Sequence, residues 1–409
     1  MATQDEDRFD VLIAGGGVIG LACAWRALQR GLSVCVLERD RAGSGASDVA
    51  AGMLAPVGEA SWGEEGLIGL NLAAHRLWPE FAAELEAESG VDPGFWQVGA
   101  LHVALDRDET EELQRRHRLH REHGLDSEWL DAAACRELEP GLAPSVAAGV
   151  LAPHEAVADP RSLCAALLAA VAERGGVVDE GSEVASAEFD RGVTVRTSGE
   201  RELRGGTLLL ATGSDAGRTP WLEPAERPPV RPVKGEIVTL RERRRARPED
   251  FAGAGPDRRE RVCSRIVVGD RLYIVPRPDG RLLIGATVEE LGFDTTVTAG
   301  GVHELLREGY RTLPDIAEME LVEVRAGLRP GTPDNSPLIG QGAREGLMIA
   351  TGHYRNGVLQ APATAAAVAA LLVGEEPPFE TEPFRPDRHR ASMGGDSSRA
   401  AAGARGGTR

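Results

Sequence analysis

The sequence predicts an α/β protein: a Rossmann-like dinucleotide-binding domain with a second, α+β domain built on a mainly antiparallel sheet. Three observations carry this. FDVLIAGGG (9–17), a helix through GLACAWRALQRG and a second apolar run, SVCVLERD (33–40), make a strand–helix–strand unit with a glycine-rich first turn. Two later apolar strands, LLLATG (208–213) and LMIATG (347–352), end in the same Ala-Thr-Gly, and the second runs into an alanine-rich helix. Between them, RPVKGEIVTL (231–240) and RIVVGDRLYIVPRPDGRLLIGATVEE (265–290) alternate apolar runs with turn residues, as antiparallel strands do.

The remaining elements follow in order. A Gly/Ser/Ala-rich stretch (43–54) precedes a helical pattern from about 66 to 89, and QVGALHVAL (97–105) reads as a strand. DETEELQRRHRLHREHGL reads as a charged, exposed helix. Its His117, His120 and His123 recur in steps of three, which drift round a helix, and four arginines crowd the same turns. We read a solvated face there and expect no metal site. His154 and Glu155 fall in a loop and carry no motif. From Asp159-Pro160 a helix (161–174) leads through short strands to GTLLLATGSDAG (206–217). The basic insert RERRRARPEDFAGAGPDRRERV (241–262) reads as a mobile loop between strands. These patterns place the cofactor domain in 1–85, 155–225 and 326–376, and the substrate domain in 86–154 and 226–325. Residues 377–409 read as a disordered tail, so deletion from 384 onward is expected to leave folding and turnover nearly unchanged. No internal repeat is present.

Composition narrows the partners. Among 409 residues, Lys plus Arg number 46 against 64 for Asp plus Glu, a formal net charge of −18. That balance argues against nucleic acid or an anionic membrane as partner. Five scattered cysteines with no CxxC pair fit neither a disulfide framework nor a cysteine-rich zinc site, and point to a reducing, cytoplasmic compartment. MATQDEDRFD lacks the regions of a signal peptide, and no apolar run approaches the ~20 residues that span a bilayer.

The chemistry begins at Gly15, Gly17 and Gly20, a GxGxxG after a strand and at the opening of a helix. The glycines permit a tight turn, approach of a pyrophosphate to backbone N–H groups and close helix–strand packing. Glu38 ends the second strand, where a carboxylate can bind ribose hydroxyls. FAD is favoured over NAD, because a long flavin nucleotide needs several backbone approaches beyond the first turn and both ATG strands offer them. The dipole of the helix beginning near Gly357 suits the negative charge of a reduced flavin ring. Arg329, in AGLRPGTPDNSPLIG (326–340), stands next to Pro330, which stiffens the backbone and suits a guanidinium fork aimed at a planar anion; from this stretch alone, a turn with a merely solvated arginine reads equally well.

SDVAAGMLAP (47–56), VKGE (233–236), YIVPR (273–277), GATVEELGFDTTVT (285–298), AGLRPGTPDNSPLIG and ATGHYRNGV resemble the glycine oxidases of thiamine biosynthesis. Those are FAD-dependent oxidoreductases like D-amino-acid oxidase. The resemblance runs in order from about Phe9 to Val373. It implies a glutathione-reductase-like FAD domain, non-covalent FAD, and oxidation of glycine to imine and then glyoxylate, with ammonia and hydrogen peroxide released. Sarcosine and small D-amino acids such as D-alanine would be secondary substrates, oxygen the acceptor, and the imine would feed thiazole synthesis. It further implies a homo-oligomer, with a tetramer as the form relatives suggest. Arg329 would clamp the substrate carboxylate, Tyr273 would donate to it, and Arg355 would lie near the flavin and the entrance, with Met53 also at the reacting centre. Val18, Ile19, Glu38, Arg39, Ala46, Ser47, Ala51, Gly52, Met53 and Val184 match positions that touch FAD, as do His353, Tyr354, Arg355, Asn356, Gly357, Val358 and Leu359. Three positions depart from the pattern. ATGSDAG lacks a tryptophan, Arg325 replaces a bulky aromatic and is expected to alter packing beside Arg329, and Gln360 replaces an aliphatic residue. The rival readings are a sarcosine oxidase or D-amino-acid dehydrogenase of the same fold, or a flavin-binding scaffold without activity.

Overall fold

The computed structural model describes residues 7–242 and 261–389. Most of the insert expected to be a mobile loop, and the end of the expected tail, lie outside these residues.

Strand Arg8–Ala14 is the centre of the first sheet, pairing in parallel with Val34–Glu38 on one side and Glu202–Leu210 on the other. Val177–Glu180 and Leu347–Thr351 extend it in parallel, and Val184–Phe189, Val193–Thr197 and Leu338–Gln341 add antiparallel edges. Central parallel strands are covered on both faces, which is why Val11–Ala14 and Leu208–Leu210 read as unbroken apolar runs. Helices Val18–Gln29, Gly66–Ser89, Pro160–Glu173 and Gly357–Leu372 pack together against this sheet. Their contact faces are rich in alanine (Ala22, Ala24, Ala166, Ala361, Ala365), so the backbones approach closely. Trp78 Nε1 donates to the Leu359 carbonyl at 2.9 Å, pinning the first turn of Gly357–Leu372.

A second eight-stranded sheet runs in the order Glu320–Gly331, Arg231–Arg241, Arg281–Gly285, Tyr273–Pro276, Ile266–Val268, Ala100–Ala104, Ala148–Ala152, Glu128–Asp131. All neighbours are antiparallel except Ile266–Val268 with Ala100–Ala104. The long strand Glu320–Gly331 stays in this sheet throughout, pairing Arg329 with Val233 and Gly327 with Gly235. Residues 326–331, assigned from sequence to the cofactor domain, thus hydrogen-bond within the second sheet. A small sheet of Met53–Leu54, Ala156–Ala158 and Phe95–Gln97 lies between the two.

Two expectations are corrected. The tail does not begin at 377: the short 3-10 turn Glu382–Phe384 seats Phe384 in the core at 4% exposure. Arg388 then donates to Asp334 and to the carbonyls of Ser336 and Pro337. One apolar residue in a polar stretch gives no periodicity to detect. Helix Arg107–Glu122 is likewise not solvated all round, since Leu113, Leu119 and His120 are buried.

Candidate active site

A cleft of about 1030 Å³ runs between the two sheets. At one end stands the glycine turn. Gly15 has φ +107, and a Cβ there would lie 2.5 Å from the Ala211 carbonyl oxygen. In helices Val18–Gln29 and Gly357–Leu372 the N-cap residue makes no side-chain bond to the first turn, which also holds no acidic residue. Both N-termini line this one cleft, and their dipoles favour negative groups. Glu38 is held by N–H bonds from Gly16 to Oε2 (2.7 Å) and from Asp40 to Oε1 (2.8 Å). A carboxylate has about four acceptor positions, so hydroxyls can still be received. Arg39 pairs with Asp40 at 3.2 Å and Asp215 at 3.6 Å.

The wall continues through Ala46, Ser47, Ala51, Gly52 and Met53, with Val184 at the Arg39 end. Ser47 Oγ accepts the Val18 N–H at 3.0 Å. Gly52 has φ +72, and any Cβ there would overlap the Ala158 carbonyl. Buried Arg277 donates from Nη2 to the Ala51 carbonyl at 2.6 Å and so fixes this segment. Opposite lie His353 to Val358, with Tyr354 at φ +48. Burial pushes His353 down to about 3, so its ring is neutral, with Nε2 3.0 Å from Thr364 Oγ. Two expected contact residues do not reach the cleft. Gly20 stands behind Gly15, whose carbonyl a Cβ would overlap, and Leu359 is part of the helix core.

Arg329 and Tyr273 meet at the other end of the cleft. The Arg329 guanidinium lies over Gly235, where a Cβ would overlap it, and Nη1 donates to the carbonyls of Thr287 (3.1 Å) and Lys234 (3.3 Å). Lys234 itself is enclosed and paired with Glu236 at 2.9 Å and Glu289 at 3.4 Å. Among the described residues no carboxylate pairs with Arg329. Tyr273 lies over Gly285 in the same way, its Oη 2.5 Å from where a Cβ would be. Burial raises its pKa, which the nearby Arg329 opposes, and the phenol remains a donor at neutral pH. Gly235→Ala should displace the guanidinium by about an ångström. The expected result is unchanged FAD content with half-saturation for a carboxylate substrate raised roughly a hundredfold, read from flavin reduction against concentration.

Arg355 lines the cleft but is already matched, by Glu59 through Nε and by Glu64 through Nη2 at 2.6 Å. Asn335 holds the other Glu64 oxygen at 2.7 Å. Arg325 does not crowd Arg329. It turns away to Asp48 and to Glu323 (2.7 Å), and Arg161 joins the same two carboxylates. Gln360 is buried, with Nε2 donating to Asn71 at 2.7 Å. Glu59, Glu64, Thr287 and Arg277 escaped sequence reasoning, for none belongs to a spacing that signals its role.

The sequence profile of the FAD dependent oxidoreductase family (DAO) matches residues 10–371. The chain belongs to this family. As a DAO-family protein it uses FAD, and the cleft fits that group: two helix N-termini with no acidic residue in the first turn, and glycines where a Cβ would collide with backbone. It is 35% identical to a glycine oxidase of Geobacillus kaustophilus over 95% of this chain and 99% of that one. The crystal structure of the G. kaustophilus glycine oxidase superposes with a TM-score of 0.85, covering 94% of this chain and 99% of the other. A bifunctional protein ThiO/ThiG of Synechocystis is 34% identical over 93% of this chain, which spans 54% of that relative's length. No helix of the described residues of this DAO-family chain is long and apolar enough to cross a membrane.

Proposed function

We propose that this protein is a glycine oxidase that converts glycine to the imine and on to glyoxylate and ammonia, giving hydrogen peroxide from oxygen. The observation that carries the reading is Arg329: a half-buried guanidinium in the FAD cleft, free of any carboxylate among the described residues and beside a protonated tyrosine. A scaffold has no use for such a pair. FAD, when bound, would supply the hydride acceptor and a route for electrons to oxygen. Arg329 binds the substrate carboxylate, and Tyr273 donates its hydroxyl to the same group. Glu59 and Glu64 cancel the charge of Arg355, so Arg329 is left to define where the carboxylate rests. No side chain is assigned as general base, and water can take the amine proton. Sarcosine and D-alanine fit as secondary substrates of the same clamp.

Non-covalent attachment of the flavin is supported by the cysteines, all five of them buried and none lining the cleft. They are also unpaired, which supports a reducing, cytoplasmic compartment. The likeness to ThiO/ThiG supports delivery of the imine to thiazole synthesis. A homo-oligomeric working form rests on the resemblance alone.

Anaerobic mixing with glycine tests the reading. The flavin should bleach, and admitted air should restore its colour with peroxide formed. A flavin that never bleaches leaves a scaffold, and one that bleaches but needs a dye for reoxidation leaves a dehydrogenase. Acid should release FAD into the supernatant; flavin that stays with the precipitate would mean a covalent link.

A further inference from the structure

Glu155 lies between the strands Ala148–Ala152 and Ala156–Ala158 and is 1% exposed. Its Oε1 accepts the N–H groups of Val57 (3.1 Å) and Gly58 (2.5 Å), while its backbone carbonyl accepts those of Gly99 (2.8 Å) and Val98 (3.2 Å). One residue therefore ties the turn at 57–58 to the neighbouring sheet. The next residue in that turn is Glu59, the partner of Arg355, and both Gly58 and Glu59 line the cleft.

The second oxygen is the unusual one. Glu155 Oε2 makes no hydrogen bond, nor does either ring nitrogen of buried His102. Both flank Gly58: a Cβ there would lie 2.5 Å from His102 Nε2 and 3.2 Å from Glu155 Oε2. A buried carboxylate oxygen without a partner is costly when charged, and a proton carried on Oε2 removes that charge.

We propose that Glu155 is a positioning residue and charge switch for the substrate clamp. Uncharged, it holds the Val57–Gly58–Glu59 turn; charged, it sets a second anion behind Glu59 and weakens the hold on a substrate carboxylate. The inference rests on Arg329 being that clamp.

Glu59 from the turn is the charged group acting on Glu155; His102 from strand Ala100–Ala104 lies on the other side of Gly58, with Arg116 and His120 of helix Arg107–Glu122 acting on it. Burial, with Arg116 adding to it, pushes His102 to about 3 and His120 to about 4, so both rings are neutral. Burial also pushes Glu155 up to about 8, against its N–H bonds and with help from the Glu59 charge. Tyr273 is pushed upward from 10. Glu155 is then the member of this group that changes charge just above neutral pH.

Acetate is the probe, because it carries a carboxylate and no amine and stays ionised throughout. Its Kd for the FAD-loaded protein is read from the flavin absorbance between about pH 6.5 and 9.5. The wild-type Kd should rise about tenfold, centred near pH 8. Glu155→Gln keeps the acceptor oxygen and stays uncharged at every pH, so its Kd should stay level across that range. A level wild-type Kd, or an equal rise in Glu155→Gln, overturns the proposal. Glu59→Gln is the second variant, since removing the neighbouring anion should move the wild-type midpoint to lower pH. A midpoint that stays or rises also overturns it. A protein that bleaches with glycine yet shows a level acetate Kd disposes of Glu155 alone. One that neither bleaches nor binds acetate disposes of the clamp as well.

Discussion

Arg329→Leu retains FAD and loses most of its grip on glycine. Glycine offers almost no apolar surface, so its carboxylate must supply most of the binding and orientation. Removing one partner of a buried charge-assisted pair costs on the order of 3–5 kcal/mol, or roughly a hundredfold to several thousandfold in affinity. Arg329→Lys recovers only part, because an ammonium cannot make the planar fork that Nη1 and Nη2 present over Gly235. Tyr273→Phe costs less, about 1–2 kcal/mol for one hydrogen bond. The measurement is anaerobic flavin reduction against glycine concentration for all three variants. An unchanged half-saturation in Arg329→Leu would move the clamp elsewhere, and Arg355 is a poor replacement with two carboxylates already on it.

Ending the chain at Pro383 destabilises the protein, whereas ending it at His389 does not disturb the contacts described. The shorter chain loses Phe384 from the core, a change that costs about 3–5 kcal/mol for a buried phenylalanine. It also loses Arg388, whose two nitrogens hold Asp334 at 2.9 Å. Burial alone would raise the Asp334 pKa, but Arg388 overrides it and holds the carboxyl at about 2. Its pKa is lowered on folding, so this part of the stability is present above the ordinary value of 3.8 and is lost as pH falls through about 2. The gap between the two truncations in urea unfolding should therefore narrow in that acid window. Equal stability at neutral pH would refute the packing of Phe384.

What the sequence made legible was whatever repeats locally. The turn at Gly15, Gly17 and Gly20, the apolar parallel strands and the alanine-rich helix each carry their signal within one element. The clamp residues were legible through resemblance, since Arg329 and Tyr273 sit on different strands, with Arg231–Arg241 and Arg281–Gly285 between them in the sheet. Glu59, Glu64, Arg277 and Glu155 were not legible. Each acts through a partner far away in the chain: Arg277 on Ala51, Glu155 on Val57 and Gly58, Glu59 on Arg355. The parallel pairing of Ile266–Val268 with Ala100–Ala104 escaped for the same reason.

The four-residue helix Ala46–Val49 touches both halves of the chemistry. Ser47 receives the first N–H of the glycine-turn helix, while the Val49 side chain rests on Gly327, its Cβ 2.9 Å from where a Cβ on that glycine would be. Two residues further along the same strand is Arg329. The two ends of the cleft thus share one short piece of backbone, through which binding at one end can bear on binding at the other. Any factor by which the dinucleotide tightens carboxylate binding, a bound carboxylate must return as an equally tighter hold on the dinucleotide. An enzyme that holds its cofactor without a covalent bond would then be least prone to shed it while working.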